Sequence, residues 1–120
     1  GPYLQYGVVR IRSLLARAAA ENLVPGALGP PSRPAERDLM LTLALMPEAI
    51  SRSAHERAPH HLAEYTYRVA VGFTRFYDQC HILSEPDPVR QGSWLTLARY
   101  TGEVLTMLVE LLGIDVPERM

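Results

Sequence analysis

The chain has 120 residues, of which 48% are hydrophobic and 21% charged, as expected for one folded domain. Its 12 basic residues, all arginine, face 13 acidic residues for a net charge of -1, so it lacks the basic excess of a non-specific nucleic-acid binder. Its single cysteine, Cys80, excludes an intramolecular disulfide and fits a reducing cytosol, and no apolar run reaches the ~20 residues of a membrane span.

The first predicted element is a helix over residues 3–22. Its apolar residues recur at intervals of three and four, and three arginines lie around this apolar stripe. The following residues 23–36 contain four prolines and two glycines, so they predict a loop. We expect this loop to be the most mobile part of the domain.

Three further helical stretches follow, at 36–56, 61–83 and 92–112. Pro47 interrupts the first of them and predicts a kink or two abutting helices. Gly113 stands where a left-handed residue commonly closes a helix. No segment alternates with a period of two for more than a few residues. The sequence therefore predicts an all-α bundle of four to five helices with proline-rich connecting loops.

The chain is poor in catalytic and metal-binding patterns. His60 and His61 are adjacent and point in different directions on a helix, so they do not have the spacing of metal ligands. Cys80 lies on an apolar helix edge, where a small buried thiol is usual. Glu103 and Glu110 lie two turns apart with no further group that would make them an acid–base pair. We expect no catalytic residues and no metal site in this chain.

Polar and aromatic side chains gather near three chain positions. Gln5 and Tyr6 lie at the start of the first helix, Tyr77 and His81 near the end of the third, and Met120 at the chain end. Such side chains suit unstacked nucleobases, which offer a π-face and a hydrogen-bonding edge. Taken singly, each also has a structural explanation: half-buried tyrosines with bonded hydroxyls, or a surface histidine near a helix C-terminus.

Read together, four stretches resemble the C-terminal anticodon-binding domain of arginyl-tRNA synthetases, a helical module often called the DALR domain. The stretches are YLQYGVVRIRSLL, HHLAEYTYRVAVGFTRFYDQCHIL, WLTLARYTGEVL and LLGIDVPERM. The Pro59-His60 pair and the spacing of Phe76, Tyr77 and Cys80 are typical of that family. The likeness covers nearly the whole chain except the loop 23–35.

The resemblance implies a piece of a longer protein. We expect Gly1 and Pro2 to be a cloning remnant and residues 3–120 to form the DALR-type domain. Family members join L-arginine to its tRNA with ATP on a separate catalytic domain. The expected partners are therefore the anticodon loop of an arginine tRNA and the catalytic domain of the same chain, in the cytoplasm, with no DNA and no membrane. No cofactor is expected in this domain.

The resemblance also suggests functional residues. Tyr6 and the terminal Met120 would lie near the pocket for the central anticodon adenine, and Arg10 matches a family arginine whose role is structural or a phosphate contact. Tyr77 and His81 fall where family members place stacking residues. The RNA-binding residues predicted in this way are Gln5, Tyr6, Arg10, Tyr77, His81 and Met120.

The sequence departs from the family pattern at several positions. Val8, Trp94 and Gly102 stand where polar residues are frequent, and Arg68 replaces a usual acidic residue. These changes leave open an alternative, a protein-interaction domain of a diverged synthetase-like paralogue that no longer binds arginine tRNA. Trp94 is either a core residue, which we favour, or a stacking surface. RNA binding should be weak for the isolated domain and should fall steeply with salt, whereas an apolar protein interface should be nearly indifferent to salt.

Overall fold

The computed structural model of the chain describes residues 2–114, and within that range it is helical with no strand. The helices are α1 (Pro2–Ala20), α2 (Pro34–Ala44), α3 (Met46–Glu56), α4 (Pro59–Gln79) and α5 (Pro88–Leu111). The predicted all-α bundle is confirmed, and the two abutting helices predicted from Pro47 are α2 and α3, which meet at Leu45, two residues before that proline. None of these helices is long and apolar enough to cross a membrane.

Local sequence signals set the helix ends. Helices α2 to α5 each carry a proline in the first turn, where a missing amide N–H has no cost. Asp87 caps α5 by accepting hydrogen bonds from two backbone amides of its first turn. At the other end Gly113 has φ +74°, and Ile114 N donates to Val109 O over 2.9 Å. These features form a Schellman closure and confirm the predicted role of Gly113.

The core lies where α1, α4 and α5 meet, with α2 packed on α4. Trp94 is 2% exposed and meets the Phe76 ring edge-on, with centroids 6.2 Å apart. Trp94 is therefore a core residue, and its Nε1 finds no acceptor among residues 2–114. The largest fully buried side chains include Trp94, Phe73, Phe76, Ile11, Leu39, Leu95, Leu97, Leu105 and Leu108.

The proline-rich loop between α1 and α2 is tied to the start of α5. Gly26 N donates to Gly92 O over 2.8 Å, and Gly29 N donates to Ser93 Oγ over 2.9 Å. The Thr96 hydroxyl donates to Gly26 O. A side chain at Gly92 would come within 3.1 Å of Gly26 N, so the loop approaches the helix closely only because Gly92 has no Cβ. The loop 23–36, which we expected to be the most mobile part of the domain, is thus tied to α5 by three hydrogen bonds.

Glu36 is a buried carboxylate at the start of α2. Its Oε1 accepts hydrogen bonds from Ser32 N over 2.9 Å and from Arg33 N over 3.3 Å. These bonds replace water around the charge and satisfy two amides that precede the helix. The Arg33 guanidinium lies 6.0 Å from the centre of the Trp94 ring, which links this cap to the core.

Candidate nucleic-acid interface

Helices α1 and α4 lie side by side. The Tyr3 hydroxyl donates to Thr74 Oγ1, and a Cβ at Gly7 would lie 3.8 Å from Ala70 Cβ. Further along α1, Arg10 reaches Tyr77. We call the surface along this junction the α1–α4 seam. Its exposed or half-buried side chains are Tyr3, Tyr6, Arg10, Arg17, Tyr67, Tyr77 and His81.

The centre of the seam is a pair formed by Arg10 and Tyr77. The Arg10 Cζ lies 5.3 Å from the centroid of the Tyr77 ring, within cation–π range. From the core side Phe73 supports the same ring, with centroids 6.1 Å apart. Tyr77 is half-buried and Arg10 is exposed, so both side chains keep surface in contact with solvent. Both groups are surfaces on which an unstacked base can lie.

At the C-terminal end of α4 the seam opens into a cavity of about 210 Å³. Tyr77 and His81, which were predicted to lie together, both line it, and Arg17 of α1 completes its wall. Cys80 lies beneath the cavity and is fully buried, and burial raises the pKa of its thiol to about 11. The thiol is therefore protonated at neutral pH and is a packing group, as predicted. The polar groups of the cavity suit an anion or a base edge.

The structure brings four of the six predicted RNA-binding residues to this seam, namely Tyr6, Arg10, Tyr77 and His81. Tyr6 is 56% exposed and lies one turn before Arg10 on α1. Gly7 faces α4, and Gln5 precedes it by two residues, which is about 200° around the helix. Half-buried Gln5 therefore points away from α4 and lies outside the seam. Met120 lies outside the described residues, and its predicted role stays a prediction.

The two arginines of the seam have no carboxylate partner in the part of the chain that the structure describes. Within residues 2–114, neither Arg10 nor Arg17 lies within ion-pair distance of a carboxylate, whereas five other basic side chains do. The net charge of -1 therefore conceals a local surface on which two guanidinium groups have no carboxylate partner among residues 2–114. Guanidinium groups bind phosphate through paired N–H donors. The same part of the chain holds no group of three His, Cys, Asp or Glu that could bind a metal ion.

Comparison with known proteins identifies the family of this chain. Residues 4–120 match the DALR anticodon binding domain family. The chain belongs to this family. The arginine–tRNA ligase of Alkaliphilus oremlandii is 38% identical over 121 residues, covering 100% of this chain and 21% of that protein. That of Proteus mirabilis is 41% identical over 123 residues, covering 99% of this chain and 21% of that protein.

A solved structure supports the assignment. The arginyl-tRNA synthetase of Thermus thermophilus superposes on this DALR domain with a TM-score of 0.82 at 32% identity, covering 100% of this chain and 21% of that chain. The chain thus spans about a fifth of the length of the relatives it matches. The resemblance drawn from the sequence motifs is confirmed.

The departures from the family pattern fall outside the seam of this DALR domain. Val8 and Gly102 both line a separate cavity of about 450 Å³ between α1 and α5. A Cβ at Gly102 would lie 2.8 Å from Ile11 Cγ2, so the close approach of these helices excludes a larger residue there. Trp94 is in the core, and Arg68 lines a third cavity. None of the four substitutions removes a side chain from the seam.

Sequence reasoning missed three residues of the seam, namely Tyr3, Arg17 and Tyr67. One signal for Arg17 was available, because Tyr6, Arg10 and Arg17 are spaced by four and seven residues and so lie on one helix face. Tyr67 is 52% exposed and carries no such spacing signal. Its position beside Tyr3 follows from the packing of α1 against α4, which no local pattern reports.

Proposed function

We propose that this chain is the anticodon-binding domain of an arginine–tRNA ligase and that its α1–α4 seam grips the anticodon loop of an arginine tRNA. The parent protein would use ATP and L-arginine on a catalytic domain elsewhere in its chain and would work in the cytoplasm. The observation that carries the proposal is the Arg10–Tyr77 pair beside Arg17 and His81, on one surface of a chain that belongs to the DALR family.

The seam offers the two kinds of contact that RNA recognition needs. Arg10 and Arg17 would bind backbone phosphates, which position the loop without reading its sequence. Tyr6 and Tyr77 would stack on bases that leave the loop stack, and Met120 would close over the central adenine as the family resemblance implies. Base-edge contacts near Tyr6 and Met120 would supply the sequence discrimination. Binding by the domain alone would be weak, since the parent protein adds contacts and effective concentration.

The experiment is a titration of a fluorescently labelled anticodon stem-loop with the chain at several salt concentrations. In Tyr77→Ala the loss of one stacked base predicts a decrease in affinity of about 5- to 150-fold. In Arg10→Gln the loss of one phosphate contact predicts a salt slope smaller by about one.

Arg12→Gln is the matched control, because this substitution removes the same charge from the same helix. Arg12 lines the α1–α5 cavity and not the seam. This variant should bind like the wild-type chain. Equal losses in Arg10→Gln and Arg12→Gln would show that only net charge matters and would contradict the proposal. Binding that is indifferent to salt would favour a protein-docking module instead.

A further inference from the structure

The end of the seam opposite His81 carries a pair of aromatic side chains, Tyr3 and Tyr67. The rings of Tyr3 and Tyr67 are tilted by 43° with their centroids 5.1 Å apart. Tyr3 is 38% exposed and Tyr67 is 52% exposed. The Tyr3 hydroxyl donates to Thr74 Oγ1 over 3.0 Å, which fixes the Tyr3 ring against α4. An aromatic pair thus stands on the surface in a defined orientation.

Packing between the two rings explains only part of this arrangement. An aromatic pair stabilises the junction of α1 and α4 most when its faces are buried, but about half of the Tyr67 side chain stays in contact with solvent. A ring that is already held in place loses little conformational entropy when a ligand stacks on it. The exposed face of Tyr67 therefore has the properties of a preformed stacking surface.

Resting on the proposed function, we propose that Tyr67, held by Tyr3, is a second stacking platform on α4, besides Tyr77, that binds another unpaired base of the same RNA loop. Tyr67 and Tyr77 are ten residues apart on α4, or about 15 Å along the helix axis. Stacked bases are spaced by about 3.4 Å, so this distance corresponds to about four of them. The two platforms would thus hold different bases. Since every base has a π-face, the second platform adds affinity with little sequence preference.

The test compares Tyr67→Ala with Tyr67→Phe and Tyr100→Ala in the stem-loop titration. Tyr67→Phe keeps the ring. Tyr100 is an exposed tyrosine of α5 that lines a cavity between α2 and α5, outside the seam. Tyr67→Ala should weaken binding by about 5- to 150-fold, while both controls bind like the wild-type chain. The ratio of affinities for loops with and without the central adenine should be unchanged in Tyr67→Ala. Circular dichroism checks that each variant is folded.

A set of stem-loops, each with one loop base removed, locates the base concerned. In the wild-type chain, removal of the base that stacks on Tyr67 should weaken binding, and in Tyr67→Ala the same removal should have no further effect. Wild-type affinity in Tyr67→Ala, or an unchanged pattern of base removals in that variant, would overturn the second platform while leaving the proposed function intact. Failure of the wild-type chain to bind any stem-loop would overturn both.

Discussion

The packing around α1 predicts opposite effects on stability when alanine replaces Gly102 and when it replaces Gly7. A Cβ at Gly102 would lie 2.8 Å from Ile11 Cγ2, well inside van der Waals contact. A Cβ at Gly7 would have Leu105 Cδ1 and Ala70 Cβ as neighbours at 3.7 and 3.8 Å, which are ordinary contacts. Both glycines are in helices, so alanine gains about 0.8–1 kcal/mol of helix propensity at each.

The difference between the two variants isolates the effect of overpacking. Overpacking costs about 1–3 kcal/mol, so the free energy of unfolding should be lower in Gly102→Ala than in Gly7→Ala by about that amount. Gly7→Ala should be more stable than the wild-type chain. Adding Ile11→Leu to Gly102→Ala removes the obstructing Cγ2 methyl and should restore part of the loss.

Urea denaturation followed by circular dichroism measures these differences. The midpoints should move while the denaturant slopes stay the same, because the surface exposed on unfolding hardly changes. If Gly102→Ala were as stable as Gly7→Ala, the α1–α5 spacing would not depend on Gly102, and the explanation given for this departure from the family pattern would be wrong.

Three further predictions concern buried groups. Because burial raises the pKa of the Cys80 thiol from 9.0 to about 11, the wild-type chain should lose stability as the pH rises from about 9 to about 11, and Cys80→Ala should flatten this dependence in urea melts. Trp94→Phe removes an N–H that has no acceptor in the described chain and keeps an aromatic ring. It should therefore lower the free energy of unfolding, measured by calorimetry, by less than the roughly 3–5 kcal/mol typical of truncating such a residue to alanine. Glu36→Ala leaves the Ser32 and Arg33 amides without their acceptor and should cost about 1–3 kcal/mol, whereas Glu36→Gln, which keeps a carbonyl oxygen, should cost less; equal losses in thermal unfolding would contradict the capping role.

Much of the fold could be predicted from local patterns. The apolar residues at spacings of three and four predicted helices at 3–22 and 61–83, and the structure has them at Pro2–Ala20 and Pro59–Gln79. The last helix begins at Pro88, four residues before the predicted start at 92. The signal was present, since Asp87 followed by proline is a typical cap and first-turn pair, but the prolines nearby favoured a loop.

The site was less predictable, because a helical pattern does not tell which helix a face will meet. Tyr77 and His81 could be paired from their spacing within one segment. Joining Tyr77 to Arg10, or Tyr3 to Tyr67, requires that α1 and α4 lie side by side, which the fold as a whole decides. For the same reason the sequence could not show that the substituted family positions avoid the seam.

The most direct test of the account is the ratio of affinities of this chain for two anticodon stem-loops that differ only in the central base. Both loops carry the same phosphates, so the ratio cancels the electrostatic contribution and reports base recognition. The account predicts that the loop with the central adenine binds at least about tenfold more tightly than the other loop at the same salt concentration. Equal affinity for the two loops would contradict anticodon recognition by this domain.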